Sequence, residues 1–167
     1  MGIDIQGWVE VETFADESEE WWIGVINIAP LINRNYEMFA SLFGARNRAG
    51  FMPIAEKRGI PPFASPQSGT LQQIVTLTSL TWVGWWEIQA MNWMEKSIHP
   101  VSVSYTYQGT TQVRRLGNWG QEADEVRKEL ITRGDALDAD WKFLFALMEQ
   151  LAQRFGSHEV RLVVGFD

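Results

Sequence analysis

Along residues 2–13 the apolar positions Ile3, Ile5, Val9 and Val11 alternate with Asp4, Gln6, Trp8 and Glu10. A period of two predicts a strand with one buried face, which leaves Asp4 and Glu10 on the side expected to meet solvent. Residues 21–28, "WWIGVINI", have the aromatic and β-branched composition of a second strand. The acidic stretch at residues 15–20 reads as a turn, so the two strands form a hairpin. Alternation returns at the far end, where Val160, Leu162, Val164 and Phe166 interleave with Arg161, Val163 and Gly165. This last strand and the first are candidates for neighbours in one sheet.

Helical spacing governs other segments. Tyr36, Phe39, Ala40 and Phe43 recur at i, i+3, i+4 and i+7, with Asn33 placed to cap the start and Gly44 to end it. Trp141, Leu144, Phe145, Met148, Leu151 and Phe155 trace one side of a second helix. Asp138 and Asp140 suit its positive end, and Gly156 suits its stop. A thinner stripe of Ala123, Val126 and Leu130 predicts a surface helix over roughly 121–133. Residues 70–80 are read as a short helix, and the chain runs extended at Trp82 before turning helical around 86–91. "VSVSYTY" and "TTQVRRL" flank Gln108 and Gly109 and predict a second hairpin. Residues 44–69, which contain "GIPPFASPQSG", predict a long irregular connection. Long connections of this kind are often functional.

The expected class is therefore α+β, a largely antiparallel sheet packed against helices on one side. The 167 residues are expected to form a single compact domain, with no internal repeat and no linker. Hydrophobic residues at 46% and charged residues at 21% are ordinary globular usage, so wholesale disorder is not expected. Nine tryptophans are unusual and serve equally well as core filling or as a stacking platform.

Several kinds of chemistry are ruled down. The absence of cysteine removes disulfides, thiolate nucleophiles and sulfur-bound zinc. His99 and His158 form no helical ligand pair, and no GxSxG elbow, GxxxxGK[ST] loop or GxGxxG turn is present. No catalytic residue, metal or cofactor is assigned on this basis. Asp138 and Asp140 form a D-x-D pattern that helix capping explains. A sequence pI near 4.9 argues against a duplex nucleic acid partner, whose phosphates need a broad basic surface. The apolar runs are too short to cross a bilayer, and the start lacks a basic secretory leader. The expectation is a cytoplasmic protein with no membrane partner.

One charge feature changes the picture. The formal net charge is −7, yet between residues 34 and 58 Arg34, Arg46, Arg48, Lys57 and Arg58 outnumber Glu37 and Glu56, a local +3 that leaves −10 for the remainder. Guanidinium groups bind phosphate or carboxylate in bidentate fashion, and amides read polar edges. The candidate ligand-binding set is therefore Arg34, Asn35, Arg46, Asn47, Arg48 and Arg58, with Trp82, Trp85 and Trp86 as stacking surfaces. The competing reading keeps the arginines at a helix end or paired with the acidic surface, and keeps the tryptophans in the core.

The stretches "MGIDIQGWVEV", "RNYEMFASLFGARN", "PIAEKRGIPP" and "VRLVVGFD" resemble a family of uncharacterised small proteins of bacteria and their phages. The resemblance implies no activity and no residue role. By analogy with small phage proteins that sequester nucleotide signals, it gives counter-defence as a role to consider. The leading expectation is a non-enzymatic protein that binds or sequesters a small anionic, nucleotide-like ligand. The alternatives are a carboxylate-dependent hydrolase of a glycan or phosphoester, with Asp4, Glu10 and Glu87 as candidate acids, and a protein–protein adaptor built on exposed aromatics.

Overall fold

The alternation at the start of the chain becomes strand β1 (Ile5–Glu12), which pairs antiparallel with β2 (Trp22–Asn27), with one register irregularity between Val9 and Glu10. The computed structural model describes residues 2–13, 21–117 and 122–167, so the acidic turn at 15–20 lies outside the described residues. Helix α1 (Tyr36–Phe43) follows; its cap is Asn35 and not Asn33, because the Asn35 carboxamide oxygen accepts from the Met38 N–H at 2.9 Å. Gly44 ends the helix in the left-handed region at φ 74°, where a side chain would be strained. Residues from Met38 to Phe43 are buried on every side of this helix, beyond the single face that the spacing predicts.

After an irregular stretch come the single-turn helices α2 (Pro66–Gly69) and α3 (Leu71–Ile74), strand β3 (Thr81–Gly84) and helix α4 (Trp85–Gln89). The second hairpin is present as β4 (Val101–Gln108) and β5 (Thr111–Leu116), with Gly109 at φ 64° in the turn. Strand β6 (Glu125–Glu129) stands where a surface helix is predicted from the sequence. Two residues of that expected apolar stripe, Val126 and Leu130, are exposed, and the backbone pairs with β4. Helix α5 (Ala139–Phe155) is capped by Asp138, which accepts from the Trp141 N–H, and β7 (Val160–Phe166) completes the fold.

The protein is α+β, and the strands among the described residues divide into two antiparallel sheets of order β2-β1-β7-β3 and β5-β4-β6. The first and last strands are neighbours, as expected. On one face of the larger sheet Val9, Val11, Leu162 and Val164 pack against Phe39, Leu42, Trp141, Leu144 and Met148 from α1 and α5. The other face is also covered. There Val163 and Trp82 meet Leu71, Val75 and Leu80 from the segment around α2 and α3. Covering both faces explains why all seven positions of β7 are buried where alternation predicts one side in water.

It also corrects the expectation for Glu10. Its side chain faces the covered side and is fully buried, bonded to Arg161 Nε at 2.6 Å and to the Ser65 N–H at 2.8 Å. The smaller sheet closes over Ala49, Phe51 and Ile131 through Val101, Val103 and Tyr105, and Leu116 packs against both cores.

Candidate functional site

A cleft of about 270 Å³ opens between α1, the turn at residues 46–49 and the smaller sheet. Its α1 wall is Tyr36, Glu37 and Ala40, and its sheet wall includes Ser102, Gly117 and Lys128. Arg46 and Arg48 form the rim on the turn. The local backbone explains their placement. Gly44 and Arg46 both take positive φ, and the Arg48 N–H closes on the Arg46 carbonyl at 2.7 Å. This tight bend turns the chain back directly after α1 and leaves both arginine side chains exposed.

Arg46 lies 5.4 Å over the Tyr36 ring, a cation–π contact that holds its guanidinium against the α1 wall. Lys128 arrives through strand pairing, since β6 places it directly opposite Ser102 of β4. Among the described residues, neither the Arg48 guanidinium nor the Lys128 ammonium has a hydrogen-bonding or ionic partner. Among the described residues three cations and one carboxylate, Glu37, thus line one concavity of an acidic protein. An anion entering here exchanges bulk water for charge-assisted hydrogen bonds without first breaking an ion pair of Arg48 or Lys128. The volume lies just under the ~300–1,000 Å³ usual for drug-sized ligands.

The other residues expected at a site lie elsewhere. Arg34 makes a two-pronged bond to Asp4, Nε to Oδ1 at 2.5 Å and Nη2 to Oδ2 at 2.9 Å. Those bonds hold the Asp4 carboxyl below its ordinary value. Arg58 does the same to Glu87 at 2.7 and 2.8 Å, and also donates to the Ile54 carbonyl at 2.6 Å. Asn35 caps α1 and donates to the Ala136 carbonyl and to Asp138, while Asn47 closes its own loop onto the Phe51 backbone.

The tryptophans are equally dispersed. Trp85 is buried edge-on to Phe145, Trp82 sits beside Arg58 and Arg161, and the half-exposed Trp86 stacks on His158 at 5.3 Å. None of the three lines the cleft. Arg34, Arg46, Arg48 and Arg58 are close in sequence, and the fold brings two of them, Arg46 and Arg48, together at the cleft. The residues that sequence reasoning missed are Lys128, Ser102 and Tyr36. Lys128 was hidden because its segment reads as a helix, and only the β4–β6 register reveals its neighbour.

The candidate acids share one fate. Asp4, Glu10 and Glu87 are bonded to Arg34, Arg161 and Arg58 respectively. Asp4 and Glu87, whose carboxyls are held below their ordinary values by these arginines, are poorly suited to donate a proton near neutral pH. Among the described residues no cluster of three His, Cys, Asp or Glu side chains could hold a metal, and no helix is long and apolar enough to cross a membrane. No protein-family model, curated protein or solved structure matches the chain, so the functional reading rests on the geometry of the cleft.

Proposed function

We propose that the protein binds, without chemically altering, a small anionic and nucleotide-like ligand in the cleft between α1 and the β5-β4-β6 sheet. The observation that carries this reading is the meeting of Arg48 and Lys128, both exposed and unpaired among the described residues, on the walls of one concavity. Arg46 adds a third charge already positioned by Tyr36. Among the described residues Tyr36 is the only aromatic ring that lines the cleft, so it takes the stacking role that the tryptophans were expected to fill. Sequestration of a nucleotide in the cytoplasm, in the setting of phage counter-defence, is the biological role consistent with binding that leaves the ligand intact.

Titration calorimetry with nucleoside monophosphates, nucleoside diphosphates and inorganic phosphate tests the proposal. Saturable binding is expected, weakened at least about tenfold when Arg48→Ala and Lys128→Ala are combined, as the loss of charged hydrogen bonds requires. Ligand released by denaturation should be recovered chemically unchanged. Absence of binding, or binding indifferent to both substitutions, would overturn the reading.

A further inference from the structure

The cleft also holds a charge of the opposite sign. Glu37 lies on the α1 wall, next to Tyr36 in the chain and one turn before Ala40. Helical spacing sets Glu37 and Ala40 on one face at i and i+3, so the carboxylate's neighbour on that wall is a methyl group with no polar atom to offer it. Among the described residues Glu37 makes no hydrogen bond and no ion pair, although Arg46, Arg48 and Lys128 line the same concavity. Charges of both signs are therefore held apart in one small space. A bare phosphate satisfies the cations and is repelled by the carboxylate. A ligand that satisfies both carries an anionic group and, away from it, hydrogen-bond donors, because a carboxylate only accepts.

We propose that Glu37 sets the specificity of the cleft for ribonucleotides, its two carboxylate oxygens accepting from the vicinal 2′- and 3′-hydroxyls of a ribose whose phosphate lies on Arg48 and Lys128. The inference rests on the reading of the cleft given above and names the sugar that the cleft selects. A vicinal diol presents two donors side by side, which matches the two acceptors of one carboxylate, and it carries no charge that must itself be desolvated. A deoxyribose offers one donor fewer and leaves a carboxylate oxygen without its partner. A site built to accept from a hydroxyl discriminates against the analogue that lacks it. The position of Glu37 in the first turn of α1 also suits the helix dipole. That contribution to stability has no means of telling one sugar from another, so a sugar-specific effect separates the two roles.

Titration calorimetry with adenosine 5′-monophosphate and with its 2′-deoxy and 3′-deoxy forms tests the assignment. The ribonucleotide is expected to bind about tenfold more tightly than either deoxy form. Glu37→Ala should bring that ratio close to unity by weakening the ribonucleotide, while the deoxy forms bind no more weakly than before. Glu37→Gln, which keeps the shape and one acceptor, should lower the ratio part of the way. Inorganic phosphate should bind both variants at least as tightly as the parent protein, since a repelling charge is gone. Each ratio is taken within one protein, so a lost helix contribution moves the thermal melt and not the ratio. Equal affinity of the parent protein for the three nucleotides, or a Glu37→Ala effect shared by all of them, would overturn the inference while leaving the cleft reading in place. Failure of every ligand to bind would overturn the two readings together.

Discussion

The guanidinium of Arg161 and the carboxylate of Glu10 form a 2.6 Å ion pair between residues 151 positions apart, and both side chains are buried. Burial pushes the Arg161 pKa down, and the neighbouring Glu10 charge opposes that shift. The remaining groups around the pair are satisfied by the segment that covers the sheet, since Arg161 also donates to the Pro62 carbonyl and Glu10 accepts from the Ser65 N–H. Trp22 lies 3.7 Å from the Arg161 guanidinium. Removing one partner strands a charge in a dry site. Arg161→Met is expected to cost about 3–5 kcal/mol by urea unfolding, and Arg161→Met with Glu10→Met to recover part of that loss.

The Arg58 and Glu87 pair gives a pH signature. Burial raises the cost of charging Glu87, but the hydrogen bonds from Arg58 and the Gly84 N–H outweigh it and hold the carboxyl below its ordinary value. A depressed folded-state pKa means that the pair's contribution is complete above the unfolded value, about 4.3, and is lost as pH falls through the folded value. Glu87→Gln should therefore cost about 1 kcal/mol at pH 7, limited by partial solvent screening. The difference from the parent protein should shrink towards zero in acid, read from urea midpoints between pH 7 and pH 3.

Gly7 is required by close packing. A Cβ there would stand 2.2 Å from the Val163 carbonyl oxygen and 3.0 Å from a Val164 methyl on the neighbouring strand. Backbone cannot move aside as a flexible side chain does. Gly7→Ala is expected to destabilise by about 1–3 kcal/mol in thermal or chemical melts.

Asn35 does two jobs with one side chain. Its oxygen caps α1 at the Met38 N–H, while its amide nitrogen donates to the Ala136 carbonyl at 2.8 Å and to Asp138 at 2.7 Å. Asn35→Ala should lose about 1–2 kcal/mol. Asn35→Asp should retain the cap but forfeit the donors and face Asp138 with like charge, so a full rescue by aspartate would show that the cap alone matters.

Much of the fold was legible because burial and spacing agree at β4 and α5, where apolar positions keep one period over the whole element, and because β1, β2 and β5 have the β-branched and aromatic composition of strands. β6 was not legible. Ala123, Val126 and Leu130 are too few to fix a period, and the pairing with β4 that makes the segment a strand comes from residues distant in sequence. Glu10 was misplaced for a related reason: a polar residue on a strand looks solvent-facing until a complementary arginine is known to lie across from it. The cleft was half legible. Arg46 and Arg48 share one turn and could be read as a pair, whereas Arg34 and Arg58 have carboxylate partners that local composition does not reveal.

Because β7 sits between β1 and β3, the larger sheet cannot close while the chain is still being translated up to residue 159. Until β7 leaves the ribosome, β1 has its β2 partner but an open second edge, and β3 has no strand partner among the described residues. Joining such distant segments is slow, so a nascent or shortened chain exposes apolar strand edges, and its yield in cells should depend on how long it waits in that state.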